Sequence, residues 1–459
     1  DFANATMYNN LTSYSGEYFL EGFFGRAEYN FANKYFFSAS YRVDGSSRFA
    51  QDKRWGDFWA VGASWNAKQE SFLQGVDWLD ALRVKASYGT QGNDNIGYTT
   101  VYENLYRIDR VDGEASLTKT FRAAPEVTWE KSNNFNIGFE TGFLDRIDLN
   151  VEYFIKETKD MIYNRPPALS QGSPVSQLVN DMDMMNKGIE FELSADVIKT
   201  RNVTWNLALN GTHYKNVITR IPSDWPEEGK QIGSFWREEG GSIYNYYLYE
   251  WAGVDPTNGL PQFNAYKVDE ETGKPTDEFD KVVNSTSNAT YRKTGKTPIP
   301  DLYGGFSTSL RAYGFDFSAS FAYQLGGWTN DTVYAMLMSA GATGDNWHKD
   351  IFNRWTPQNT NTDVPRVQDN YQEANQTNTT RFLIKSSYLS LRNVTLGYTL
   401  PSKLLKNAGI SGLRFYVTGD NVWYLSKRKG MDVRKSFSGG NGQTYSALRT
   451  VSAGVSLTF

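Results

Sequence analysis

Cysteine is absent from this chain, and histidine occurs only twice, as His213 and His348. Without cysteine there is no disulfide, no thiolate nucleophile and no thiolate-ligated metal. With two isolated histidines there is no H-E-x-x-H or Cys/His spacing, so the sequence implies neither a metal nor a cofactor. A Ser-His-Asp site is spatial rather than sequential, and neither histidine carries a local signature of one. Long apolar runs are missing too. No stretch approaches 18 consecutive apolar residues, which excludes a transmembrane helix but not a membrane barrel, whose strands need only about 9–11 residues with alternate ones apolar. Nor is one sign of charge in excess: 47 basic and 51 acidic residues give a net charge of −4, which offers nucleic acid no basic surface. The chain starts at Asp1 with no signal-like stretch, and the expectation is a processed chain or one piece of a longer protein.

What is abundant is aromatic: 29 Tyr and 28 Phe among 459 residues, side chains suited to places apolar at one end and wet at the other. The dominant period is two, the signature of strands. Ile147, Leu149, Val151, Tyr153 and Ile155 share one face, with Asp148, Asn150, Glu152 and Phe154 on the other. The same alternation sets Phe315, Phe317, Ala319, Phe321 and Tyr323 against Asp316, Ser318, Ser320, Ala322 and Gln324. It predicts about thirteen strands, near 17–30, 34–43, 57–67, 80–89, 132–144, 146–157, 187–198, 202–214, 302–313, 315–326, 386–400, 411–423 and 446–459. Connections alternate short and long, the long ones near 44–56, 90–131, 158–186, 215–301, 327–385 and 424–445. That parity belongs to an up-and-down membrane barrel with short periplasmic turns and long extracellular loops, and a sandwich, jelly roll or propeller has no reason to keep it. The fold class expected is therefore all-β, a transmembrane antiparallel β-barrel with long extracellular loops. An odd number of strands closes no bacterial barrel, and an open sheet leaves unpaired edges in lipid. The remaining strands are expected in an upstream region or on a separate polypeptide. The final strand, with Val451, Ala453, Val455 and Leu457 on one face and Phe459 last, resembles the closing strand that barrel-insertion machinery reads in outer-membrane proteins.

Several segments occur in a telling order. Arg42-Val43-Asp44-Gly45-Ser46-Ser47-Arg48-Phe49 precedes Trp55-Gly56, and Leu82-Arg83-Val84-Lys85-Ala86-Ser87-Tyr88-Gly89 precedes Gly92-Asn93. Thr158-Lys159-Asp160-Met161-Ile162, Asn186-Lys187-Gly188-Ile189-Glu190 and Gly253-Val254-Asp255-Pro256 follow. Next come Trp355-Thr356-Pro357 with Pro365-Arg366, and Ser387-Tyr388-Leu389-Ser390-Leu391-Arg392-Asn393 leading to Leu396-Gly397-Tyr398. Together, from about residue 42 onward, these resemble the SusC/RagA family of TonB-dependent nutrient importers. After Lys427–Gly430 the chain departs from the family pattern, reading Met431-Asp432-Val433-Arg434. The resemblance implies a 22-stranded barrel of which this chain is the last thirteen or so strands, with the plug, the TonB box and the first strands lying outside it. It implies outer-membrane location among lipid and lipopolysaccharide, a SusD-like surface lipoprotein as lid, a motor of TonB, ExbB and ExbD acting through the plug, and a dimer of SusC–SusD pairs. The cargo implied is an oligomer, glycan first and peptide second, and no covalent chemistry is expected.

Candidate ligand or lid contacts lie in the long connections: Trp236, Tyr244, Tyr246, Tyr247, Trp251, Trp328, Asn346 and Trp347. Flat rings stack on sugars while amides, acids and arginine bond hydroxyls; the same rings could instead pack the loops or sit in an aromatic girdle. Gly295-Lys296-Thr297 lacks the upstream glycine of a P-loop, and Asp181-Met182-Asp183 lacks the glycine and later glutamate of a calcium loop. Both read as loop. Other readings of the whole chain are a siderophore or cobalamin transporter, a passive porin, a barrel protease or lipase, and an adhesin.

Overall fold

A computed structural model describes residues 16–111, 114–168, 170, 175–272, 274–338, 344, 346–368, 377–405, 409–428, 431–435, 440 and 445–459. Gly430 of the sequence pattern lies outside them. Thirteen strands form one sheet in chain order, each antiparallel to the next. They are β1 (Leu20–Phe31), β2 (Tyr35–Ser46), β3 (Trp55–Asn66), β4 (Leu79–Asn93), β5 (Glu130–Phe143), β6 (Ile147–Lys159), β7 (Asp183–Lys199), β8 (Val203–Arg220), β9 (Leu302–Ala312), β10 (Phe315–Leu325), β11 (Tyr388–Thr399), β12 (Gly412–Ser426) and β13 (Thr450–Thr458). Every expected strand is present, and several run beyond the apolar alternation into the loops. β8 continues to Arg220. His213, expected at a strand end, therefore sits inside it, with Nδ1 2.6 Å from the Asp301 carbonyl.

Three of the short connections, of two or three residues each, turn on successive residues with positive φ: Ala32–Asn33, Leu144–Asp145 and Tyr313–Gly314. This is the turn whose twist matches the strands it joins. The connection between β3 and β4 holds a short helix, α1 (Ser71–Gln74).

Strand register sorts the side chains. Phe37, Ala63, Ala86, Ile137, Tyr153 and Ile189 follow one another across β2 to β7 as directly paired residues on one face. Ser38, Gly62, Ser87, Asn136, Phe154 and Gly188 do the same on the other. The first face exposes large apolar side chains, Phe37 at 51% and Ile137 at 43% among them. In water such a surface would be an aggregation hazard; facing lipid it needs no cover. The apolar cores therefore lie in the loops rather than in the wall. Phe49, from the connection between β2 and β3, packs with Val101, Val127 and Trp129 from the connection between β4 and β5, and Ala335, Met338, Ile351 and Phe382 form a second core in the connection between β10 and β11.

Gly188, from the Asn186–Glu190 motif, illustrates why the wall needs glycine. A Cβ there would stand 2.2 Å from the His213 carbonyl oxygen and 2.8 Å from the Tyr214 Cβ on β8. Gly188→Ala must push β7 from β8, and a loss of about 1–2 kcal/mol is expected. Urea unfolding of the folded barrel, followed by heat-modifiable migration on gels, measures it.

Candidate functional site: an extracellular crown above a polar wall

The inward face carries a cluster of paired charges. Lys85 Nζ lies 3.1 Å from Glu140 and 3.1 Å from Glu152, bridging β4 to β5 and β6, and Arg83 approaches Glu140 at 3.7 Å. Across β7, Glu190 stands directly opposite Glu152. Such a surface suits water and polar cargo rather than lipid.

Above it, the long connections are folded rather than slack. Residues 221–301 contain a four-stranded sheet (Lys230–Ile232, Phe235–Arg237, Asn245–Tyr249, Tyr291–Lys293) and a three-stranded one (Trp251–Val254, Pro261–Val268, Pro275–Val283). Residues 326–387 contribute the pair Trp328–Asn330 and Leu383–Lys385 and the helix α2 (Thr332–Leu337). These two connections interlock. Tyr249 bridges to Thr379, Asn378 donates to the Tyr291 hydroxyl at 2.6 Å, and Arg366 donates to the Asn258 carbonyl at 3.1 Å. Gly259, at φ +76, lies so close under the Trp355 indole that a Cβ would meet it at 2.5 Å. The Trp355 indole N–H in turn donates to the Pro256 carbonyl at 3.0 Å.

Five of the eight candidate residues converge here. Trp236 lies against Tyr247 with ring centroids 4.9 Å apart, and Tyr247 stacks on Tyr291 at 5.3 Å. Behind them Phe235 packs against Tyr244 and Tyr246. The Tyr246 hydroxyl donates to the Trp328 carbonyl at 3.2 Å, and Lys296 lies over the Trp328 ring at 4.2 Å. Tyr246 is only 1% exposed: it holds the neighbouring rings and offers no open face. Burial and its neighbour Tyr291 push the Tyr247 hydroxyl pKa up, so it stays a neutral hydrogen-bonding group. Trp251 belongs to a separate contact, edge-on to Phe263 and beneath the Arg381 guanidinium at 4.7 Å. Burial brings the Arg381 pKa down to about 10, still cationic at neutral pH. Asn346 and Trp347 stand exposed after α2. The sequence reading missed Tyr249, whose ring centroid lies 3.8 Å from that of Tyr291, and Lys293, over Trp236 at 5.5 Å and ion-paired with Glu238. Tyr249 could have been found from the tyrosine run; Tyr291 and Lys293, some forty residues on, carry no local signal.

Asp181-Met182-Asp183 is not the solvated loop expected. Met182 is buried and Asp183 begins β7. Arg220 reaches Asp181 at 3.1 Å and Asp183 at 2.8 Å, and Arg165 also pairs with Asp181. Burial alone would raise the Asp181 pKa; hydrogen bonds from the Ser223 hydroxyl and backbone, with Arg165, outweigh it and hold the carboxyl below its usual range. Its stabilising contribution is full above the unfolded value near 4 and is lost as pH falls through the depressed folded value. Limited proteolysis of the 160–182 and 221–229 segments is therefore expected to be slow at pH 7 and to accelerate below about pH 4, with Asp181→Asn flattening that dependence.

Residues 2–422 match the family described as TonB dependent receptor-like, beta-barrel. The chain belongs to that family. Within it the likeness is to the SusC/RagA branch. The chain is 29% identical to TonB-dependent receptor P3 of Formosa agariphila over 99% of its length, and 28% identical to SusC of Bacteroides thetaiotaomicron over 98%. The RagAB peptide transporter superposes on the whole chain with a TM-score of 0.85 at 27% identity. The same assembly in its closed-closed state gives 0.84 at 26%. The chain spans about half the length of these relatives, 48% of P3, 44% of SusC and 50% of the RagAB chain. It is thus a SusC/RagA-like outer-membrane β-barrel, and its relatives are transporters and receptors rather than enzymes.

Proposed function

We propose that this SusC/RagA-like chain forms the larger part of the barrel wall and the extracellular crown of an importer of oligomeric nutrients. A SusD-like lipoprotein closes over the crown as a lid, and TonB, ExbB and ExbD act through a plug. The observation that carries this is the likeness to RagAB over 100% of the chain. A barrel wall alone is generic, whereas this match includes the long folded connections where a lid and cargo would meet the protein. The plug and remaining strands lie outside this chain on this reading. Its support is that, among the described residues, β1 pairs only with β2 and β13 only with β12, edges that lipid does not tolerate.

The cargo is an oligosaccharide, held by the bank of Trp236, Tyr247 and Tyr291 with Glu238 and Lys293 at its border. Peptide is the second reading, favoured by the description of RagAB as a peptide importer. The assembled transporter, purified from its native membrane, is the material for the test. Mass spectrometry is expected to find a SusD-like lipoprotein and a plug-bearing segment with this chain. Calorimetry with oligosaccharide pools and with mixed peptides then separates the cargo classes, and Trp236→Ala is expected to weaken the binding cargo about 3–10-fold. Binding to neither pool, or uptake that persists without an energised inner membrane, sinks the importer reading.

A further inference from the structure

The lipid-facing wall is not uniform. Across β5 to β7 its paired side chains are large: Ile137, Tyr153 and Ile189 in one row, Phe139, Val151 and Phe191 in the next. Across β4 and β3 the first of these rows narrows to Ala86 and Ala63, while the next continues as Val84 and Trp65. Ala63 lies directly opposite Ala86, and Ala39 one pair higher beside Val61. Rings stand around this floor: Phe37 on β2, Tyr88 on β4 and Phe135 on β5, the last two directly paired. The result is a groove of about 610 Å³ on the outer face, open to the side.

Its height in the membrane follows from the chain. Tyr35 and Trp65, paired at the short-turn ends of β2 and β3, lie at the periplasmic rim, because short turns are periplasmic in such barrels. Ala63 is one pair above that row and Ala39 two, which at the usual strand rise and tilt is about 5–10 Å. An apolar band is about 25 Å tall, so the groove's floor on β2 and β3 lies in its periplasmic half, at the depth of inner-leaflet acyl chains, and its border at Phe135 on β5 reaches to the midplane.

We infer that this groove binds one acyl chain of an inner-leaflet phospholipid. Between lipid tails and an apolar wall there is no net hydrophobic driving force, so contact is decided by packing. A depression left empty forfeits the dispersion contacts of its whole lining. A flexible methylene chain is what the surroundings supply at that depth, and the rings beside it limit its sideways escape. The flat rows across β5 to β7 offer no such hold. The inference rests on the outer-membrane placement and on the orientation set by the turns, not on the cargo.

The test is native mass spectrometry of the complete transporter, stripped by repeated detergent exchange and then titrated with phosphatidylethanolamine. One phospholipid is expected to survive stripping, and Ala63→Phe, which fills the groove, is expected to lower its occupancy at least fivefold. Ile189→Phe, on the same face of β7, is expected to leave occupancy unchanged. Heat-modifiable migration reports whether each variant has folded, and Ala39→Leu replaces Ala63→Phe if that variant does not. Equal retention by the filled variants overturns the proposal. So does a retained lipid A, which would place the groove in the outer leaflet, or a second copy of the transporter lost from the same variants in place of lipid.

Discussion

Ile137→Arg is expected to destabilise the folded barrel by about 2–4 kcal/mol, while Asn136→Arg, one residue away, costs less than about 1 kcal/mol. Ile137 sits midway along β5, 43% exposed, between Ala86 and Tyr153 on the outward face. An arginine there meets the hydrocarbon near its midplane, where charge is most costly. Asn136 points the other way, 3.4 Å from the Ser87 hydroxyl on the inward face, and an arginine in its place can extend into the lumen. Urea titration of both variants in lipid vesicles measures the difference. Equal losses would mean that register has been assigned to the wrong faces.

Asp331→Ala is expected to loosen the crown by about 3 kcal/mol without weakening the wall. Asp331 is 2% exposed and caps α2 by accepting from the Tyr334 backbone N–H at 3.1 Å. Its other oxygen lies 2.8 Å from Arg428, which rests on the Tyr334 ring at 3.8 Å. The substitution removes the cap, worth about 1 kcal/mol, and takes the carboxylate from a cation that is mostly covered. Breaking a fully buried pair costs about 3–5 kcal/mol, and the partial exposure of Arg428 trims that figure. Hydrogen exchange is expected to speed up in residues 326–387 and 427–435 while β5 to β8 keep their protection. Uniform loss of protection along the wall would show that the crown and the barrel unfold as one.

Much of this architecture is legible in the linear chain because membrane strands obey a strict period of two and the bilayer demands that period. Lipid on one side and water on the other force Ile147, Leu149 and Val151 to alternate with Asp148, Asn150 and Glu152, and turn parity then sets which end of every hairpin faces the periplasm. Where the period breaks, local reading fails. Arg392 is an extra residue in β11: Ser320 pairs with Asn393 and Phe321 with Leu391, so the outward residues change from Val394 and Leu396 to Leu391 and Leu389. A bulge is a property of two strands, and neither strand alone announces it.

The eight candidate loop residues divide on the same principle. Their sequence positions reveal aromatic character, and rings at 236, 244, 246, 247 and 328 do gather in one body. Which of them keep an open face was decided by tertiary packing: Tyr246 is enclosed by Phe235 and the Trp328 backbone, while Tyr247 finds its stacking partner in Tyr291, forty-four residues away. Likewise the acids at 181 and 183 became a clasp only because Arg165 and Arg220 arrive from other strands. The sequence by itself determined the strand number, their order and the two faces of the wall, since each follows from neighbours along one chain in contact with two solvents. Only the tertiary structure decided how the crown is joined, where the charges pair and where alanines from β2, β3 and β4 meet in a groove, because these depend on partners that the chain brings together only by folding.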